Sequence, residues 1–367
     1  MLMIKATRDA ILRPLQTVAG IVERRHTLPI LANVLVRKQG DQVSFLATDI
    51  EIQVRTAASL GSGKEDAAIT VNARKLIDIL RSLPDTEVGI SLASKKLSIA
   101  AGKSRFSLQT LGPEEFPTVA PSDAVGATLS MPQRELKHLF AMVHFAMAQQ
   151  DIRYYLNGLL LVVDGNAIRV VATDGHRLAY ASATLDVEVP RQEVILPRKT
   201  VLELQRLLSD TEGAIEMRFA SNQAKFSFDG MEFVTKLVEG KFPDYNRVIP
   251  KNHRNHITLG RAPLLACLQR TAILTSEKFK GVRLNVEPGL LRVASNNAEQ
   301  EEAVDELDID YSGDAIEIGF NVTYLIDALS NMSQEMVKLE LQDSNNSALL
   351  TNPENNAFKY VVMPMRI

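Results

Sequence analysis

The sequence predicts an α+β chain made of three repeated domains, each with two helices packed on antiparallel sheets. Three observations predict it. One pattern is written three times, as Val43-Ser44-Phe45-Leu46-Ala47-Thr48-Asp49-Ile50-Glu51, then Ile168-Arg169-Val170-Val171-Ala172-Thr173-Asp174-Gly175-His176-Arg177-Leu178, then Leu291-Arg292-Val293-Ala294-Ser295-Asn296-Asn297-Ala298-Glu299. The copies lie about 125 and 123 residues apart, a domain-sized period. Each copy is flanked by two segments with apolar residues at helical spacing, and alternating runs between them read as half-buried strands.

The elements follow in order. Residues 8–22 predict the first helix, with Ile11, Leu12, Leu15, Val18, Ala19 and Val22 on one face and Pro14 in its first turn or at a kink. Its counterparts are residues 133–148, with Ser130 as candidate cap and Pro132 as helix start, and residues 261–272. Strands are expected at residues 30–36, 155–161 and 281–286. The repeated motif then supplies a strand and a tight turn, because Asp-Gly flanked by alternating apolar residues favours a hairpin. Second helices are expected at residues 74–83, 199–208 and 322–331, and each repeat closes in strands. There Phe106 matches Phe233, and Phe116-Pro117 matches Phe242-Pro243. Polar breaks near residues 117–126 and 250–256 place the domains at residues 1–122, 128–251 and 254–367.

Composition narrows the function. A chain that is 46% hydrophobic and 23% charged, with no apolar run near 20 residues and no signal segment, predicts a globular cytoplasmic protein. The one cysteine, Cys267, excludes an intrachain disulfide and sits among leucines as a buried thiol. The net charge is −3, yet the six predicted helices together carry about six net positive charges. A basic helical surface on an otherwise acidic chain suits a polyanion held in one place and repelled elsewhere; solvated helix faces are the plainer explanation.

Catalytic motifs are missing from the sequence. The six histidines form no metal-ligand spacing, and there is no phosphate loop or nucleophile elbow. Asp174 and His176 are a formal acid/base pair, so a three-domain hydrolase is one alternative, although Asp174-Gly175 reads more simply as a turn. A peptide-binding scaffold without DNA is another. Glu299, Glu301, Glu302 and Asp305 cluster without an oxygen-ligand loop spacing, so no metal or cofactor is expected.

The motifs Thr27-Leu28-Pro29-Ile30-Leu31, Asp151-Ile152-Arg153-Tyr154-Tyr155-Leu156-Asn157-Gly158, Ala172-Thr173-Asp174-Gly175-His176-Arg177-Leu178, Lys241-Phe242-Pro243-Asp244-Tyr245 and Val361-Val362-Met363-Pro364-Met365-Arg366 closely resemble the bacterial DNA polymerase III beta subunits, the sliding clamps. The resemblance covers essentially the whole chain. It implies a non-enzymatic processivity factor, a head-to-tail homodimer closing a ring around double-stranded DNA, with helices lining the hole. It implies DNA-facing positions at Arg25, Arg74, Gln150, Tyr154, Tyr155, Arg198, Lys199 and Lys280.

It further implies a pocket for short linear peptides of the replicative polymerase alpha subunit, the clamp-loader delta subunit, other polymerases and repair proteins. That pocket would hold Leu156, Thr173, Gly175, His176, Arg177, Leu178, Pro243, Arg247, Val248, Phe279, Asn321, Tyr324, Ser347, Val361, Val362, Met363, Pro364, Met365 and Arg366. Asn345 stands where one member of the family carries an apolar residue. A dimer contact is implied in which Lys103, Arg105 and Phe106 face Ile273, Leu274, Glu299, Glu301, Glu302 and Asp305. This accounts for the acidic cluster without a metal.

Overall fold

The computed structural model describes residues 1–22, 28–120 and 128–367. The first repeat runs β1 (Leu2–Thr7), α1 (Arg8–Ala19), β2 (Asn33–Gln39), β3 (Gln42–Thr48), β4 (Ile52–Ser59), β5 (Ala67–Asn72), α2 (Ala73–Ser82), β6 (Glu87–Ala93), β7 (Lys96–Ala101) and β8 (Ser104–Leu111). The second runs β9 (Thr128–Pro132), α3 (Gln133–Val143), β10 (Gly158–Thr173), β11 (Arg177–Pro197), α4 (Arg198–Leu207), β12 (Ala214–Phe219), β13 (Gln223–Phe228) and β14 (Met231–Lys236). The one-turn α5 (Tyr245–Val248) leads to the third: β15 (Asn255–Gly260), α6 (Arg261–Ala272), β16 (Gly281–Glu287), β17 (Leu290–Asn296), β18 (Glu302–Asp308), β19 (Ile316–Asn321), α7 (Val322–Asn331), β20 (Met336–Leu341), β21 (Ala348–Thr351) and β22 (Phe358–Val362). The long hairpin β10–β11 does in repeat two what four shorter strands do in each of the others.

The helices form where the apolar spacing predicts, with small differences at their ends. Thr7 and Asn72 cap α1 and α2 by accepting the backbone N–H of Ala10 and Lys75, and Asn321 caps α7 through Thr323. Pro14 lies inside α1, and the Thr56 hydroxyl donates to its carbonyl at 3.1 Å. Ser130 is not a cap: it sits within β9, paired with Glu216 of β12, and the chain turns into α3 only after Pro132. Residues 144–148 leave the α-helix, with a 3-10 turn over His144–Ala146. The strands expected at residues 30 and 155 also begin later, because Pro29–Ala32 and Tyr154–Leu156 are 3-10 turns that bury Leu31 and Leu156.

Contacts divide the chain into two compact units. One holds Met1–Gln133 and Arg206–Leu237; the other holds Arg134–Gln205 and Val238–Ile367. The cut passes through the second repeat because its two sheets pair with different neighbours. In the first unit, β14 pairs antiparallel with β4, joining two repeats in one sheet of order β1-β6-β7-β8-β5-β2-β3-β4-β14-β13-β12-β9. Phe219, Phe226 and Phe233 pack edge to face there, with centroids 6.4 and 6.1 Å apart.

In the second unit, β11 pairs with β22 in a sheet ordered β10-β11-β22-β21-β20-β15, and a second sheet runs β18-β17-β16-β19. Helices cover the sheets: α1 packs on β3 and β4, and α6 on β17 and β18. Phe45, Phe140, Phe320 and Tyr360 are among the fully buried side chains, each contributing roughly 1.5–3 kcal/mol by burial. Cys267 is buried with them, and burial pushes its thiol up to about 11, so it is inert. Among the described residues no helix is long and apolar enough to cross a membrane.

Candidate functional site

The repeated Thr-Asp pair builds the same turn twice. In repeat two, Asp174 Oδ1 accepts the backbone N–H of His176 and Arg177 at 2.9 and 3.1 Å, and the Thr173 hydroxyl donates to the Arg177 carbonyl at 2.6 Å. In repeat one, Asp49 Oδ1 accepts from Glu51 and Ile52, and Thr48 donates to the Ile52 carbonyl at 2.8 Å. The turn needs a left-handed residue, and Gly175 takes φ 88° where Ile50 is forced to φ 81°. In repeat three the turn is longer, with Asn297 Oδ1 reaching Glu301 N–H at 3.0 Å.

This geometry disposes of the acid/base reading. The Asp174 carboxylate is occupied by two backbone N–H groups and by Arg177 Nε at 3.2 Å, so it serves a turn. Among the described residues no cluster of three or more His, Cys, Asp or Glu side chains suits a metal ion.

Arg177 is the centre of the second unit's site. Its guanidinium is nearly buried, pairs with Asp327 Oδ2 of α7 at 2.6 Å, and donates to the Phe145 carbonyl at 2.7 Å. The same group lies 4.4 Å from the Tyr324 ring centroid and 5.7 Å from that of Phe145. Burial opposes the charge, but Tyr360, Asp327 and Asp174 outweigh it and raise the pKa. Tyr360 lies under this cluster and donates its hydroxyl to the Tyr324 carbonyl at 2.7 Å.

Beside Arg177, the backbones of β11 and β22 pair Leu178 with Val361 and Arg177 with Val362. Leu156, Leu178 and Val361 join Phe242 and Ile249 in one buried apolar cluster. The chain end crosses the same region. Met363 N–H donates to the His176 carbonyl at 3.0 Å, and Met365 N–H to the Gly319 carbonyl at 2.8 Å. Met363 and His176 are exposed, while Ile367 packs on the glycines Gly281 and Gly319; a Cβ at Gly319 would lie 2.5 Å from the Met365 carbonyl oxygen. Leu156, Leu178 and Val361 are buried, while Met363, Pro243 and Val248 are exposed.

The outer members of the expected pocket are placed less tightly. Arg247 extends into solvent and pairs with Asp244 at 3.1 Å. Phe279 is exposed, with the Lys278 ammonium 5.1 Å from its centroid. Asn321 caps α7, the Ser347 carbonyl meets His253 Nε2 at 2.8 Å, and Pro364 and Arg366 continue the tail. Asn345 stands in an exposed turn, its N–H donating to Asp343.

Of the basic and aromatic positions, Gln150, Tyr154, Tyr155, Arg198 and Lys199 cluster at one end of repeat two. The Asn157 side chain ties the loop to Asp151, while Arg198 N–H donates to the Asn157 carbonyl at 3.0 Å and Arg198 Nη1 to Met147 at 3.2 Å. Tyr154 and Tyr155 meet edge to face at 5.8 Å. Arg74 is exposed at the start of α2, and Lys280 takes φ 48° where its carbonyl accepts the first N–H of α7. Arg25 lies outside the described residues, as does Thr27.

At the chain's open edges, Lys103, Arg105 and Phe106 sit at the β7–β8 hairpin, and Ile273 projects from the end of α6 with 77% exposure beside Leu274. Glu299 and Glu301 line the turn before β18, which starts at Glu302 and carries Asp305, paired within the chain to Arg270.

Family models described as the N-terminal, central and C-terminal domains of the DNA polymerase III beta subunit match residues 2–120, 130–244 and 246–366. The chain belongs to the DNA polymerase III beta subunit family. The protein named beta sliding clamp of Pseudomonas putida is 48% identical over 98% of both chains. That of Escherichia coli strain K12 is 41% identical, with the same coverage. The crystal structure of the DNA polymerase III subunit beta from Pseudomonas aeruginosa superposes with a TM-score of 0.97 at 45% identity, covering 100% of both chains.

Within this beta subunit, sequence reasoning missed the residues that hold Arg177: Asp327, Phe145 and the buried Tyr360. One signal pointed to the first, since Asp327 is the single charged residue of α7. Arg153, which the sequence marks as a basic residue beside Tyr154 and Tyr155, also has a partner within the chain. Ion-paired to Asp151 at 2.8 Å, it lies so close over Gly175 that a side chain there would press on its guanidinium.

His144 adds a pH dependence. Burial holds its pKa below 6.5, with Nδ1 between the Phe140 and Ala141 carbonyls at 3.2 Å each and Arg198 adding to the depression. A depressed histidine contributes stability above its unfolded pKa that is lost as pH falls through the folded value. The melting temperature should therefore fall below pH 6.5, and His144→Asn should reduce that slope; an identical slope in the variant would refute the assignment.

Proposed function

We propose that this beta subunit works as a DNA sliding clamp, in which two copies close head to tail around duplex DNA. The observation that carries the reading is a mismatch of edges. Strand β4 mates with β14, and β11 mates with β22, so the strand after the Thr-Asp turn of one repeat always takes the last strand of the next. By the same rule β18 awaits a β8. Each chain has one of each, so the contact is heterologous, and in this reading it is used twice to close a ring of two copies.

The two internal seams also set the register of the third. Phe233 faces Val54 and Tyr360 faces Ala179, which by equivalence places Phe106 of one copy opposite Ala303 of the other. Phe233 and Tyr360 are fully buried, whereas Phe106 is half-exposed in a single chain. The neighbouring charges are complementary, with Lys103 and Arg105 meeting Glu299, Glu301 and Glu302, while Ile273 and Leu274 supply apolar cover.

The helices carry net positive charge and the rest of the chain net negative, which suits DNA held by screened phosphate contacts without base readout. Arg25, Arg74, Gln150, Tyr154, Tyr155, Arg198, Lys199 and Lys280 would face it. Retention then comes from topology, in a non-catalytic accessory of the polymerase acting on the chromosome in the cytoplasm. The pocket around Arg177 would take short peptides from the polymerase alpha subunit, the clamp-loader delta subunit and repair proteins in turn.

The test is retention on DNA of two topologies. After loading, the protein should remain on nicked circular DNA and be lost when that DNA is cut once. Equal retention on both forms would end the encircling reading.

A further inference from the structure

We propose that the sheet face beyond the apolar peptide site is a cationic extension of it, which takes the acidic flank of a partner peptide. The proposal rests on the peptide-pocket reading and deepens it. Side chains two apart on a strand share a face. On β10, β11 and β22 one face begins with the buried Leu160, Val162, Val171, Leu178, Ile195 and Val361. The next residues along that same face are Asp164, Arg169, Tyr180, Glu193 and Lys359. Leu178 pairs with Val361 and Tyr180 with Lys359, so the apolar floor becomes a charged one within a step of about 6.8 Å, two strand residues.

A loop closes over this charged end. Phe242 and Ile249 anchor it in the apolar cluster, and Lys241 and Tyr245 from it complete the wall of a cavity of about 570 Å³. Its carboxylates are already committed. Asp164 and Glu193 pair with Arg191 at 3.0 and 3.2 Å, and Asp244 caps α5 and pairs with Arg247.

Arg169, Lys241 and Lys359 are different. Among the described residues, no carboxylate lies within ion-pair distance of any of the three. The Lys359 ammonium instead stands 5.4 Å from the Tyr180 ring centroid, itself 5.9 Å from Tyr245. Three unpaired cations in a concave wall attract carboxylates. A strand of nucleic acid would also bring negative charge, but its phosphates are evenly spaced, whereas the three cations are separated on this wall by the ion pairs of Asp164, Glu193 and Asp244. Separate glutamates or aspartates can be spaced around them, and the peptide chain is already delivered by the apolar floor.

The experiment uses the full-length dimer and a labelled peptide with a leucine- and phenylalanine-rich core, carrying four glutamates or four glutamines at either end. Read by fluorescence anisotropy at low salt, a glutamate flank at one end should tighten binding roughly five- to tenfold over glutamine, the sum of a few exposed ion pairs. That gain should vanish at high salt. Arg169→Gln, Lys241→Gln and Lys359→Gln combined should abolish it while leaving the glutamine-flanked peptide unchanged; Lys359→Gln alone serves if the triple variant melts early. Equal binding of both flanks in the natural protein, or a gain that survives the triple variant, would overturn the proposal. Stronger displacement by a single-stranded oligonucleotide than by oligoglutamate of equal charge would overturn it in favour of nucleic acid. If the glutamine-flanked core does not bind at all, the pocket reading itself falls, and the extension with it.

Discussion

Phe106→Asp should turn the dimer into a folded monomer. Phe106 occupies the position of Phe233 and Tyr360, the two residues that are fully buried where strands β14 and β22 mate with a neighbouring repeat. In the single chain it is half-buried, so its remaining exposed surface waits for a partner edge. Aspartate forfeits that burial and sets a carboxylate among Glu301, Glu302 and Asp305 of the second copy. Lost burial and an uncompensated charge together cost roughly 3–5 kcal/mol per interface, a dimer weakened by at least about a hundredfold. Each ring has two such interfaces. Sedimentation equilibrium should show monomer at micromolar concentration with an unchanged circular dichroism spectrum. A dimer of ordinary affinity would refute the inferred register. Ile273→Ala with Leu274→Ala tests the same contact from the other side and should weaken it in the same direction.

Arg177→Ala should have the second largest effect, on the peptide site and on stability together. The guanidinium satisfies Asp327, Asp174 and the Phe145 carbonyl while lying against Tyr324. Its removal leaves the Asp327 carboxylate and the Phe145 carbonyl without their donor and takes one of three donors from Asp174, a loss of about 3–5 kcal/mol. The turn carrying His176 and the β11–β22 pairing next to it then lose their fixed relation to α7, and peptide affinity should fall by at least about tenfold. Arg177→Lys should rescue little, because an ammonium cannot form the forked contacts to Asp174 and Asp327. Deleting Met363–Ile367 is the contrasting change, expected to weaken the peptide and to lower melting only by the loss of two backbone hydrogen bonds and the Ile367 packing, while leaving the dimer intact. If Arg177→Ala bound peptide as the natural protein does, the guanidinium would not be the organiser of this site.

The two predictions differ in how far the sequence led to them. The repeat itself marked Phe106 as the counterpart of Phe233, though not that the strand beside it would be missing. Of the partners of Arg177 only Tyr324 was marked, through the family resemblance; Phe145 and Asp327 come from elements that no local pattern links to the Thr-Asp turn. Ser130 makes the same point on a smaller scale. Its residue type suits a helix cap, but pairing with Glu216 keeps it extended, a sheet contact 86 residues away overriding a local preference.

By itself the sequence determined the period of the chain, the placement of its helices, the Thr-Asp turn and the excess of positive charge on the helices. These follow from spacing, turn chemistry and composition, all of which act over a few residues. Only the tertiary structure decided that the second repeat shares its two sheets with different neighbours, that the Phe106 end of β8 and the outer side of β18 have no further strand beside them, and that Arg177 is gripped from α7 and the end of α3. Those outcomes depend on strand edges and buried charges finding partners far away in the chain, and an unpaired backbone edge or a buried charge takes whichever partner the assembled fold brings near.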